Sequence, residues 1–255
     1  MTIHIYGDSF CADFDEEETW PVVLSKLKKE QISVHAVAGT GPNWSLKKLI
    51  NDLDNVISEY DNIVFLLSDQ KRLEFYFLKE EGHSTAVIYE MLKSDTLKLN
   101  EEQTYIGNYH REIKELAQTL GPMFLYENVK NITFLHLISK QFKKIRFVVF
   151  TCFDLDNYSS LVKDFGITEL YTKFLKELRF DSLEHTNFYY MNIPINQMVK
   201  YHDHAFYSVP RKIYNHMSPS QNLKFAKLVY DIIMNKEPDT TWFENESMKP
   251  IFIYE

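Results

Sequence analysis

Short runs of apolar, aromatic and β-branched residues alternate along this chain with longer stretches in which apolar residues recur every three or four positions. The runs IHIY (3–6), ISVHAV (32–37), NIVFLL (62–67), IRFVVF (145–150) and FYYMNI (188–193) have the length and side-chain content of buried strands. Between them, TWPVVLSKLKKE places Trp20, Val23, Leu24 and Leu27 on one helical face, and NWSLKKLINDLDNVISEY does the same with Leu46, Leu49, Ile50, Leu53 and Ile57. Two further stretches, EEQTYIGNYHREIKELAQTL and GPMFLYENVKNITFLHLISKQF, are helical in pattern. The first predicts a lid or subdomain helix and the second a crossover helix returning to the sheet. Near the end, Ser218 predicts the cap of a helix that begins at Pro219 and carries Leu223, Ala226, Leu228 and Ile232.

This alternation predicts an α/β protein: a three-layer α/β/α arrangement around a mainly parallel five-stranded sheet, with a helical insertion. Ligands of such sheets gather beyond the carboxyl ends of the strands, which places the segments 7–18, 38–43 and 68–74 on one rim. No internal repeat or low-complexity linker divides the chain. The expected organisation is one domain over residues 1–235, with the insertion at about 75–143, followed by a tail over 236–255 that lacks periodicity.

Composition narrows the classes. A chain of 255 residues with 45% hydrophobic and 15% aromatic content supports a sizeable core. Its net charge of -8 argues against nucleic acid as a partner, despite a local basic group at Lys140, Lys143, Lys144 and Arg146. Two cysteines, Cys11 and Cys152, are too few for a disulfide framework and form no C-x-x-C pair. The YHDH stretch, with His202, Asp203 and His204, looks like a metal cluster. Adjacent residues rarely face one ion, so no metal is expected; no cofactor is expected either. The N-terminus lacks a basic segment followed by a long apolar one, and no apolar run approaches the roughly 18 residues of a spanning helix. The expectation is a cytoplasmic or otherwise soluble protein without a signal peptide or membrane span.

The chemistry suggested by this arrangement begins at Gly7-Asp8-Ser9, directly after the first strand. A serine hydroxyl becomes an effective nucleophile when a base takes its proton and donors stabilise the oxyanion. Ser9 follows the first strand, Gly39 follows the second with its N–H unobstructed by a side chain, and His216 precedes the last helix. Taken singly, each has an ordinary structural reading: a turn serine, a turn glycine and a helix-start histidine.

Taken together, IHIYGDSF, AVAGTGPNWSL and NHMSPSQNLKFAKLV resemble, in order, the first, second and last sequence blocks of the SGNH, or GDSL-type, hydrolases. That resemblance implies an esterase or acyl hydrolase with Ser9 as nucleophile and His216 as base. It implies an oxyanion hole from the N–H groups of Ser9 and Gly39, and Asn43 at a helix start. The third block, G-x-N-D, corresponds to LLSD, so Ser68 replaces the asparagine donor and Asp69 follows it. The aspartate three residues before the histidine is replaced by Ile213, leaving Asp203 as a candidate to orient His216.

Asn43, Asp69 and Arg72 are the candidate substrate contacts, with Lys71 beside Arg72. Asn43 suits a helix cap better than a ligand contact, and Lys71 and Arg72 suit a solvated helix start better than a substrate contact. Cys11 reads as a small buried residue. The substrate expected is a small-molecule, glycan or lipid ester. Two alternatives stay open: a protein of the same fold that binds a glycan, lipid or protein partner without turnover, and an assembly protein whose insertion forms an oligomer interface.

Overall fold

A computed structural model describes residues 1–8, 10–11, 19–37, 40–68, 121–152, 187–191, 193–195, 198, 217, 219–243 and 252–254. The elements are β1 (Thr2–Gly7), α1 (Trp20–Lys28), β2 (Gln31–Ala36), α2 (Pro42–Asn55) and β3 (Asn62–Leu67). They continue with α3 (Gly121–Gln141), β4 (Arg146–Thr151), β5 (Phe188–Met191), α4 (Pro219–Ile233) and β6 (Phe252–Tyr254). The stretch EEQTYIGNYHREIKELAQTL, expected to be a helix, lies outside the described residues.

The strand order is β2-β1-β3-β4-β5-β6. The first five strands are parallel, the flavodoxin-like order expected of an α/β sheet covered on both faces. The five-strand expectation needs one addition: Phe252–Tyr254 pairs antiparallel with β5 as a sixth strand. The expected tail also carries Trp242 and Phe243, which are buried in the core.

Alternation along β1 divides its side chains between two cores. Ile3 and Ile5 join Val64, Leu66, Val148 and Phe150 under α1 and α4, where Trp20, Phe225 and Val229 pack. Tyr6 joins Phe65, Leu67, Phe147 and Val149 on the opposite face, covered by Leu46 and Leu49 of α2 and by Ile132 and Leu135 of α3. Thus α3, inside the span assigned to an insertion, is the sheet-covering crossover helix that its periodicity predicted. β3 is buried along its whole length, as a central parallel strand covered on both faces requires.

Two helix boundaries have clear local causes. Pro42 occupies the first turn of α2, where its missing N–H has no intrahelical partner to lose, and Gly41 is the N-cap. Arg146 of β4 donates to the carbonyls of Ile232 and Ile233, placing a cation at the C-terminal end of α4.

Candidate functional site at the carboxyl ends of the strands

Chain reversal begins immediately after β1. The Cys11 N–H donates to the Asp8 carbonyl at 2.9 Å, and the Phe10 N–H donates to Asp8 Oδ1 at 3.0 Å. The aspartate therefore shapes the turn on either side of position 9 through both backbone and side chain. Gly7 makes the turn fit, since a Cβ there would stand 2.5 Å from Cys11 Sγ and 3.1 Å from Leu66 Cβ.

Asp8 is fully buried, and burial of a carboxyl group demands hydrogen-bond partners. Ser68, directly after β3, donates its hydroxyl to Asp8 Oδ2 at 2.7 Å, with the Thr40 carbonyl as a second acceptor at 3.2 Å. The Cys152 thiol, directly after β4, lies 3.9 Å from Asp8 Oδ1. The first turn of α2 is tied to the same place by Ser45 Oγ, which donates to the Gly7 carbonyl at 3.1 Å. One buried carboxyl group thus gathers the ends of β1, β3 and β4 and the segment leading into α2.

A second set of bonds runs from this turn to the last helix. Trp20 Nε1 donates to the Phe10 carbonyl at 2.7 Å, and the Trp20 backbone N–H donates to Asn222 Oδ1 at 2.9 Å. Asn222 Nδ2 in turn donates to the Met217 carbonyl at 3.1 Å. The edge of the Trp20 ring meets Phe225, with ring centroids 5.1 Å apart. A single amide side chain therefore satisfies an N–H at the start of α1 and a carbonyl just before α4.

These links join Thr40, Ser68, Asp8, Phe10, Trp20, Asn222 and Met217 in one continuous path. Ser9, Gly39, Asp69, Lys71, Arg72, Asp203, Ile213 and His216 lie outside the described residues, as do His202 and His204 and the predicted cap Ser218. The path brings together their neighbours in the chain: Asp8 and Phe10 flank position 9, Thr40 follows 39, Ser68 precedes 69 and Met217 follows 216. Sequence reasoning missed Asn222, although a readable signal existed. It shares a helical face with the buried residues Phe225, Ala226 and Val229, so a polar group there needs a dedicated partner.

Two expectations change. The Ser68 hydroxyl has one proton, and its two acceptors are Asp8 and Thr40. It fastens the rim together instead of presenting a free donor to an oxyanion. Asn43 does not cap α2; the cap is Gly41, and Asn43 stands exposed in the first helical turn. Cys11 is buried as expected, and burial followed by the charge of Asp8 pushes its thiol pKa well up, against thiolate chemistry.

Among the described residues, no group of three or more His, Cys, Asp or Glu side chains could hold a metal ion. No helix among them is long and apolar enough to cross a membrane.

No family model and no curated protein matches the chain. A solved structure is similar over 94% of this chain and 66% of the other, with a TM-score of 0.42 and 14% identity. It is described as that of a carbohydrate esterase whose active site displays divergent catalytic and non-catalytic binding functions. This chain therefore spans just under two thirds of that protein's length.

Proposed function

We propose that this protein is a hydrolase of SGNH type that cleaves an ester or O-acyl bond of a small-molecule, glycan or lipid substrate. The observation that carries the reading is the hydrogen-bonded path from Thr40 to Met217, which unites the chain neighbours of Ser9, Gly39 and His216 at the end of the sheet where α/β proteins bind ligands. In this reading His216 takes the Ser9 proton as Ser9 Oγ attacks the acyl carbonyl. The oxyanion is met by the N–H groups of Ser9 and Gly39. The tetrahedral intermediate collapses, the alcohol leaves with the proton from His216, and water deprotonated by His216 then releases the acid from the acyl-enzyme.

Because the Ser68 hydroxyl is engaged with Asp8, the oxyanion hole rests on backbone donors. Removal of one oxyanion donor from a complete hole costs roughly two to three orders of magnitude in rate, so slow turnover is expected. Asp203 is the proposed orienting group for His216, and Asn43, Asp69 and Arg72 the proposed substrate contacts. Hydrolysis of a panel of short acyl esters tests the reading. Ser9→Ala and His216→Ala should abolish activity, whereas full activity in Ser9→Ala contradicts it.

The engagement of Ser68, with Ile213 at the position where the resemblance implies an aspartate, supports a second reading: ligand binding at the same rim without turnover. Retained binding of an acylated glycan or lipid, with no hydrolysis by the unmodified protein, would favour it.

A further inference from the structure

A second polar cluster lies under α2, away from the rim. His4 of β1 and His35 of β2 stack with ring centroids 5.5 Å apart, and His35 also stacks on Tyr6 at 4.7 Å. Three contacts run through the two imidazoles. His4 Nε2 lies 3.2 Å from Asp61 Oδ2, His4 Nδ1 lies 3.2 Å from His35 Nε2, and His35 Nδ1 lies 3.3 Å from Asp52 Oδ2.

Each contact needs a proton between its two heavy atoms, because an ionised carboxylate brings none and two bare ring nitrogens repel. Two neutral imidazoles carry one N–H each. They supply two protons for three contacts. The best neutral arrangement turns both N–H groups toward the carboxylates and lets Ser33 Oγ, 2.9 Å from His35 Nε2, donate to that nitrogen. It still leaves His4 Nδ1 facing His35 Nε2 with no proton between them.

The charges give the same count independently. Asp61 accepts from the backbone N–H groups of Thr2 at 2.6 Å and Ser58 at 2.9 Å. Asp52 receives Lys48 Nζ at 2.7 Å and the Tyr6 hydroxyl at 2.9 Å. Both carboxyl groups are held below the usual range, their own burial being outweighed by these partners. Two carboxylates and one ammonium leave a net negative charge in a largely buried cluster, and one further proton neutralises it.

We propose that His4 and His35 together bind one extra proton, shared between Asp61 and Asp52, and that this proton site fastens α2 to the sheet. It matters for the rim because α2 is also tied to the carbonyl of Gly7 through Ser45. The groups facing the pair are Tyr6 and Ser33 from the strands, Lys48 and Asp52 from α2, and Asp61 before β3. Burial, then Lys48 and His4, lower the pKa of His35 against the opposing effect of Asp52, which makes His35 the neutral member of the pair. An unfolded chain releases that proton near the ordinary histidine value of about 6.5. The contribution to stability is therefore complete below that pH and is lost as pH rises and the folded pair gives up its extra proton.

Imidazole ¹⁵N NMR on the full chain at pH 7 reads the count. The expected result is His4 carrying protons on both nitrogens and His35 on Nδ1 alone. In urea titrations the unfolding constant should rise with pH above about pH 7, by up to about tenfold per pH unit. His35→Phe, which keeps a ring on Tyr6, should flatten that slope. Two singly protonated rings at pH 7 would overturn the proposal, as would a slope equal to that of His35→Phe. If this variant does not fold, the ring protonation pattern decides alone.

Discussion

The two faces of the sheet are built from the same strands and hold their helices by different means. Under α1 and α4 the core is apolar and is linked to the rim by uncharged bonds to backbone groups: Trp20 Nε1 to Phe10, and Asn222 to both Trp20 and Met217. Under α2 and α3 the buried set includes His4, Asp52, Asp61, Asn128, Asn131, His136 and Ser139. The division begins in the alternation of β1, where Ile3 and Ile5 face one way and His4 and Tyr6 the other. One face therefore ties the rim turn to α1 and α4 through uncharged groups, while the other couples its helices to protonation.

Trp20→Ala tests the uncharged face most severely. It removes a fully buried indole and leaves the Phe10 carbonyl without that donor, for an expected loss of about 3–5 kcal/mol in urea unfolding. The loss should be the same at pH 6 and pH 8; a strong pH dependence would place titratable coupling on the wrong face.

His136 sharpens the contrast from the acid side. Burial, followed by the charge of Lys140, brings its pKa down to about 4. The folded ring stays neutral while the unfolded one protonates near 6.5, so the folded chain loses stability as pH falls from about 6.5 toward 4, by up to about 3 kcal/mol. Urea midpoints between pH 4.5 and 7 should show that loss, reduced in His136→Gln.

Asn222→Ala takes a partner from the Trp20 N–H and the Met217 carbonyl and should destabilise by about 2 kcal/mol. Hydrolytic activity, where present, should fall further than stability, because the segment after His216 loses its tie to α1. Lys144→Ala provides the smallest effect. The pair of Lys144 with Glu59 is solvent-exposed despite its 2.8 Å separation, and no measurable change in the urea midpoint is expected.

The five parallel strands were legible because aromatic and β-branched runs separate clearly from the helical stretches around them. β6 was not, since three residues carry no period and pair only because β5 offers a free edge. Asparagine favours helix caps, which misdirected the reading of Asn43; Pro42 in the first turn instead leaves Gly41 as the cap. The partner of the Ser68 hydroxyl lies 60 positions earlier in the chain, beyond what local pattern reveals. The proton site was half visible: polar residues alternate with apolar ones in both IHIY and ISVHAV, but their meeting with Asp52 and Asp61 depends on tertiary packing.

The proposed acyl-transfer site at the rim gathered by Asp8 and Asn222 requires Ser9 to react as its nucleophile. Reaction of the folded chain with a fluorophosphonate, followed by peptide mass mapping, tests it most directly. One adduct per chain, located on Ser9 and absent from Ser9→Ala, is the predicted result. No adduct on the folded protein, or one that persists in Ser9→Ala, would contradict it.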